Sequence, residues 1–296
     1  MLFSRLYEPA DGEVIYHYCS AATFHAIASS GAIRFSDINM LNDETEVRWA
    51  YSVFEEAATR IIKRIDLPPS VPSIDVAFFD AVDEIISPIQ LAAHPFVSCF
   101  SLEPDSLGQW RAYADDGRGF AIGLDSKKVK SQVHATFLKV LYEREAQVQE
   151  MMVALVAIFL ARIEKPEDKS GFLENCILLG TLMTAFKHPA FEHEQEVRAI
   201  HVVTVDHSTG GGRFVDPGAT TDDGIDIEGV PVSFQVRDNH LVAYLDAKLD
   251  PAGLGSPVKE VVLGPKNHSA AGNIFLFLGG AGISDVTLRR SIAPYR

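Results

Sequence analysis

Residues 96–124 read FVSCFSLEPDSLGQWRAYADDGRGFAIGL, and this stretch decides the fold. Phe96, Val97, Cys99 and Phe100 form a short apolar run, interrupted by Ser98 and Ser101. Phe120–Leu124 form a second run, entered through Gly117 and Gly119. Short runs rich in β-branched and aromatic side chains, bounded by turn residues, predict strands. The connection carries Gln109, Trp110, Arg111, Tyr113, Asp115, Asp116 and Arg118, more aromatic and charged chemistry than a turn requires. Polar loop residues on a rigid strand scaffold are where function concentrates. The same residues also read as a solvated surface connection with Trp110 and Tyr113 tucked into the core.

N-terminal to this pair, Val14–Cys19 predicts a strand. Ser20 is placed to cap a helix with Phe24, Ile27 and Ala28 on its apolar face and Gly31 at its end. AIRFSD predicts a further strand, and MLNDETEVRWA leads into a helix capped by Asn42 or Asp43, with Glu44 and Glu46 at its positive end. LPPSVPS at 67–73 breaks the chain before a helical pattern over 75–86. Beyond the central pair, FLKVLY predicts a strand, 145–163 and 171–187 apolar helices, and HPAFEHEQEVRAIHVV a Pro-marked turn running into a strand. Four strand-like pieces and a short helix at 274–278 close the chain. Helices inserted among strands predict an α+β fold. We expect one domain over 1–296, with helical insertions near 48–92 and 145–188.

The chain has 296 residues, 47% hydrophobic and 22% charged, which suffices for a sizeable core. A net charge of -14 opposes binding to a nucleic-acid backbone over most of the surface. Cys19, Cys99 and Cys176 lack metal-site spacing and read as reduced, buried thiols. The start MLFSRLYEPADGE has no long apolar run, and Met151–Ala161 is shorter than a bilayer span. The expectation is a soluble cytoplasmic protein without a membrane partner.

The acids Glu192, Glu194 and Glu196 with Arg198 are the strongest candidate constellation. Alternation along a strand would put Glu194, Glu196 and Arg198 on one face. Two neighbouring carboxylates then repel, so one can hold a raised pKa or accept a bond from a substrate hydroxyl, with Arg198 paired to one of them. The bland alternative is an exposed face of solvated charges. His17, mid-strand in an apolar segment, reads either as a satisfied core histidine or as a ligand. His188, His193 and His201 fit no zinc spacing, and neither a phosphate-cradling glycine loop nor GxSxG is present.

In this order, IYHYCS, IRFSDINMLNDETE, the central stretch, FKHPAFEHEQEVRAI, VKEVVLGPK and SIAPYR resemble the bacterial domain-of-unknown-function family 2971. The layout also resembles, distantly, the ADP-ribosyltransferase fold, which implies a split, mostly antiparallel sheet and NAD as substrate, with no metal. His17 in YHYCS is similar to the first-strand His of that fold, Ser98 and Ser101 to its serine strand, and Glu194 and Glu196 to its Glu-x-Glu pair. The resemblance implies that His17 binds the ribose or diphosphate side of NAD and that Trp110 or Tyr113 stacks on the nicotinamide. Glu196 would hold the nicotinamide-ribose hydroxyl and stabilise the oxocarbenium-like transition state. Glu194 would orient the acceptor, which could be protein, nucleic acid or water. Tyr18, Asn42, Arg111 and Arg198 join the implied NAD-binding set. A defence or toxin role follows from the same likeness. Two rival readings are a non-catalytic nucleotide-sensing module and a metal-dependent hydrolase or nuclease using Asp43, Glu46, Asp115, Asp116, Glu194 and Glu196 as oxygen ligands.

Overall fold

The computed structural model describes residues 6–40, 45–88, 93–208, 210–220, 226–237, 239–250, 253 and 255–295. Its elements in chain order are β1 (Val14–Cys19), α1 (Ala21–Ser30), β2 (Ala32–Asp37), α2 (Glu46–Ile62), α3 (Val76–Ile86) and β3 (Ala93–Ser101). Then follow α4 (Leu107–Tyr113), β4 (Phe120–Asp125), α5 (Ser126–Gln132), β5 (Thr136–Lys139), α6 (Arg144–Glu164), α7 (Lys169–Met183) and β6 (Glu196–Asp206). The chain ends with β7 (Arg213–Val215), β8 (Ala219–Thr220), β9 (Asp226–Ile227), β10 (Ser233–Arg237), β11 (His240–Lys248), β12 (Val258–Leu263), α8 (Ala271–Gly280) and β13 (Thr287–Arg290). The fold is α+β, as the interleaved pattern predicts.

The sheet is organised around β3. Along one edge, β6 pairs with it over its whole length, from Ala93↔Thr204 to Ser101↔Glu196. The other edge is shared. β2 takes it at Phe96 and Val97, and β1 takes it at Ser101. The sheet therefore forks at β3. One branch continues β2–β11–β10, the other β1–β4–β12–β13. Among the named strands the described pairings are antiparallel except β12–β13, and the sheet does not close.

Alternation along the strands sends side chains to two different cores. Ile15, Cys19, Phe96, Phe100, Ile122, Val197 and Ala199 face a core covered by α1, α5 and α8. Val97, Leu138 and Ile200 face the other way, onto Leu182 and Ala185. There α2, α3, α6 and α7 form a helical layer with its own core, built on Phe54, Phe78, Met152, Leu155 and Leu179. By length and composition α6 is apolar enough to cross a membrane, longer than the span read from sequence. In this fold its Val148, Met151, Met152, Leu155 and Ile158 are buried in the helical core.

Local chemistry accounts for the element ends. Ser20 caps α1 by accepting from the Thr23 amide at 3.2 Å, and Gly31 closes that helix at φ 60°. Asp75 caps α3 after the proline-rich break. Two expectations are corrected. The connection between β3 and β4 is not a simple loop, because residues 107–113 form α4. The helix read over 171–187 stops at Met183, since Leu141 pairs with the chain at Phe186 and draws it out of helical geometry. Asn42 and Asp43, the expected caps of α2, lie outside the described residues; Thr45 occupies the capping position, and its side chain makes no capping bond to the first turn.

After α4 the chain turns through three left-handed residues, Asp115 (φ 48°), Asp116 (φ 53°) and Gly117 (φ 82°). It then enters β4 pressed against β1. A Cβ on Gly119 would meet the Cys19 carbonyl oxygen at 2.1 Å and that of Ala114 at 2.9 Å. Gly119→Ala is therefore expected to lower unfolding stability in urea by about 3 kcal/mol. Gly272→Ala, in α8 with nothing within 4 Å of the added carbon, should be neutral or stabilising.

Candidate functional site

The polar residues read from sequence divide by the face of the sheet they occupy. Tyr16 pairs with Ser101, and Ser101 with Glu196, so these three share a face, together with Cys99, Tyr18 and Arg198 two residues along their strands. On this face five charged side chains come together in the buried interior. Arg198 donates through Nε to Glu196 Oε1 at 2.6 Å and through both terminal nitrogens to the two oxygens of Glu46 at 2.8 Å. Lys187 Nζ reaches Glu194 Oε2 at 2.5 Å, Glu196 Oε2 at 3.0 Å and Glu46 Oε1 at 3.3 Å. None of these residues is more than 6% exposed. The expectation of solvated charges on an open strand face is overturned.

Each member is positioned by a different element. Glu46 stands in the first turn of α2, where the helix dipole favours a carboxylate. Glu196 and Arg198 open β6. Glu194 is not on the strand: it ends a 3-10 turn over Pro189–Glu194, and Gln195 follows in a left-handed conformation at φ 46°. The expected i, i+2 strand pairing thus holds for Glu196 and Arg198 and fails for Glu194. Lys187 is fixed through its backbone. Its amide donates to the Leu141 carbonyl, and its own carbonyl accepts from Gln147 Nε2 at 2.8 Å. Gln147 is fully buried and also accepts from Trp49 Nε1 at 3.0 Å.

Two tyrosines complete the cluster. Tyr113, at the end of α4, donates to Glu194 Oε1 at 2.7 Å. Tyr142 accepts from the Glu196 amide at 2.9 Å. Burial raises both hydroxyls well above the ordinary phenol range, so they stay protonated donors. Burial alone would also raise Glu196. Arg198 and Lys187 outweigh it and hold the carboxyl down at about 2. Burial works against the Lys187 ammonium as well, but Glu196 and Glu46 raise its pKa far above the usual range, so it remains charged.

Glu46 connects the cluster to a cavity of about 540 Å³ between α2, α7 and the sheet. Ile38, Pro95, Ile177, Phe186 and Val202 make its apolar wall, with Glu46, Arg48 and Thr184 among its polar lining. The Thr184 carbonyl oxygen also accepts from Arg198 at 2.5 Å. Glu46 thus belongs to both the cavity wall and the ion cluster, whereas Glu196 lies one side chain behind it.

Several implied roles are corrected by placement. His17 faces away from Glu196, with Ile15, Cys19 and Phe100. It fills the fork of the sheet, where its Nδ1 donates to the Cys99 carbonyl at 3.0 Å. Burial lowers its pKa and keeps the ring neutral. The two do not share a pocket. Ser98 also faces the other core, and its buried hydroxyl has no hydrogen-bond partner among the described residues. Trp110 is fully buried, bonded to Asp105 Oδ1 at 2.6 Å and edge-on to Tyr18, so it has no free ring face for nicotinamide. The Tyr18 hydroxyl donates to the Glu103 carbonyl at 2.7 Å, and Ser101 Oγ donates to the Glu194 carbonyl at 2.6 Å. Arg111 lies toward the Tyr295 ring, 5.9 Å from its centroid, away from the cluster. Asn42 and Asp43 lie outside the described residues. Asp116 binds Lys266 and Tyr295, and Asp115 approaches Arg118 at 3.9 Å, so these acids do not join Glu194 and Glu196. Among the described residues no group of three His, Cys, Asp or Glu is arranged to hold a metal ion.

Tyr113, Lys187, Glu194, Glu196 and Arg198 all fall within one continuous stretch of sequence. Residues 109–199 match the model of the family described as "Protein of unknown function (DUF2971)". The DUF2971 stretch runs from α4 into β6, so it holds the whole cluster except Glu46, which α2 supplies from outside it. The family resemblance read from the motifs is supported over this span. No curated protein and no solved structure matches the chain. Sequence reading missed Lys187 and Tyr142 and counted Glu46 only as a helix-start acid and a metal ligand. The signal for Lys187 was a lone cation at the end of an apolar helical run, which reads equally well as a helix terminus.

Truncating one partner of a buried pair leaves an unmatched charge, which typically costs about 3–5 kcal/mol. Arg198→Met is expected to cost that much in urea unfolding, and adding Glu46→Gln should restore part of it, a coupling that a double-mutant cycle measures. The folded-state pKa of Glu196, about 2, lies below the ordinary glutamate value. Its contribution to stability is therefore present above pH ~4.5 and lost as pH falls toward about 2. Acid titration of stability should show this loss in the wild type and not in Glu196→Gln.

Proposed function

We propose that this chain is a nucleotide-binding module whose ligand occupies the cavity beside Glu46, and that the ligand is NAD. The observation that carries this reading is the double role of Glu46, one carboxylate shared between an apolar cavity of ligand size and a rigid ion cluster. Ligand sites are concave and largely apolar, with a few fixed polar groups that set orientation. Glu46 suits the positive charge of a nicotinamide ring, Arg48 at the rim suits a phosphate, and Pro95, Phe186 and Val202 offer apolar surface to ring faces. Each of the three carboxylates already bonds Lys187 or Arg198. Such an array serves as a pre-set electrostatic floor and needs no rearrangement to receive a ligand.

A second reading, glycosidic cleavage of NAD with transfer of ADP-ribose, is favoured by one specific observation. Among the described residues the cluster joins three carboxylates to two cations, and Glu196 stays ionised down to about pH 2. Breaking the nicotinamide–ribose bond builds positive charge on the sugar, which a fixed carboxylate stabilises. His17 has no part in this version.

Calorimetric titration with NAD, run beside a nicotinamide-release assay, tests both readings. The binding reading expects saturable heat without release. Val47→Trp, at the exposed cavity rim, should weaken binding by about tenfold or more while the fold stays intact. Release that Glu196→Gln abolishes would establish the transferase or glycohydrolase reading. No heat and no release from folded protein would sink NAD as the ligand.

A further inference from the structure

The branch of the sheet that runs through β2 and β11 ends at β10, which pairs on one side only among the described strands. An open strand edge presents unpaired N–H and C=O groups, and natural proteins blunt such edges with Lys, Pro, bulges or a covering element. β10 reads SFQVR, with no Pro, Lys or bulge inside it. The apolar side chains at this edge are also uncovered. Phe234 is 56% exposed, Val236 76% and Leu241, paired with Val236, 68%. All three continue the face that carries buried Ala243, the partner of Phe234, so they extend the apolar surface of the sheet past its last strand.

The register of the hairpin determines which backbone groups point outward. Arg237 pairs with His240 across two residues, and Asn239 takes the left-handed conformation (φ 66°) that such tight turns need. A two-residue hairpin makes its flanking pair a hydrogen-bonded one, so Arg237, Gln235 and Ser233 bond inward to β11. The N–H and C=O of Phe234 and Val236 therefore point to the free edge.

We propose that β10 pairs antiparallel with β10 of a second copy of this chain, on a two-fold axis through Gln235. In this register Phe234 of each copy faces Val236 of the other, and the two pairs use all four outward N–H and C=O sets. Phe234, Val236 and Leu241 of both copies then form one apolar strip across the axis. On the opposite face Ser233 meets Arg237, so no like charges stand directly opposed. The two-fold consumes the free edge, and the assembly stops at two. The five-residue ladder is short, so the dimer is a weak one of micromolar affinity. Each chain carries a net charge of -14, so association tightens as salt shortens the range of repulsion.

The central pair is a non-hydrogen-bonded one, with Cα atoms about 4.5 Å apart, which suits a disulfide. Sedimentation of the full chain at about 0.05 M and about 0.5 M salt, with Val236→Lys, is the first measurement. The expected result is a dimer strengthened by salt in the wild type and weakened on the order of 100-fold in Val236→Lys, with an unchanged urea midpoint. Under mild oxidation, Gln235→Cys should cross-link through the new thiol and Ser233→Cys should not; this arm reads the register even if Val236→Lys is poorly folded. A monomer at all concentrations up to about 100 µM would overturn the proposal, given the micromolar affinity expected of so small an interface. So would a dimer indifferent to Val236→Lys, or cross-linking as efficient at 233 as at 235.

Discussion

Arg198 stands at 1% exposure with a carboxylate on either side, one from the head of α2 and one from its own strand. A guanidinium cannot shed its proton in a protein, so at that depth it must be matched by fixed negative charge. The match ties the helical layer to the sheet at one point. α2 must start where Glu46 can reach β6, and β6 must present Glu196 and Arg198 to the same side. Lys187 then bridges the remaining oxygens, and Gln147 on α6 fixes the backbone that carries it. The helical insertions are thereby held to the sheet by charge as well as by the contact of Val97 and Ile200 with Leu182 and Ala185. The site is thus built on a scaffold in which charge pairing joins the sheet to the helical layer.

The parts of this fold that were legible in the sequence are those governed by short-range rules. Strands β1 to β4 follow from runs of β-branched and aromatic residues, and α1 follows from Ser20 and Gly31 at its two ends. The site was legible only in part. Glu196 and Arg198 share a face because strand alternation is strict, and that could be read directly. Glu194 joins them for a reason alternation does not contain: the left-handed Gln195 turns a residue outside the strand back onto Lys187. Glu46 arrives through tertiary packing across 152 residues, and a single sequence carries no local signal for that; Lys187 is near Glu194 and Glu196 in sequence, but its place is set by Leu141 and Gln147. His17 was misplaced for the opposite reason. Its strand was read correctly, but the face on which Glu196 lies depends on the register of two further strand pairings.

The fork at β3 gives that histidine a different part in the structure. Where β2 and β1 diverge from a common edge, the Cys99 carbonyl lies between the two ladders. The His17 ring supplies the missing donor there. A buried carbonyl left unpaired is costly. A neutral imidazole in this position thus serves the architecture of the split sheet, and its exchange for an apolar side chain of similar size would leave the fork without that bond.

The β2–β11–β10 branch of the fork has a temporal consequence. Glu46 and Arg198 are 152 residues apart, and β2 is bordered by β3 on one side and by β11 on the other. A chain made from its N-terminus therefore exposes the β11 edge of β2 and the acidic head of α2 long before either can be paired. Topology of this kind defers assembly, because long loops must close before the contacts that reward them can form. The first half of the chain therefore stays incomplete until β6 supplies Arg198 to Glu46 and β11 covers the second edge of β2.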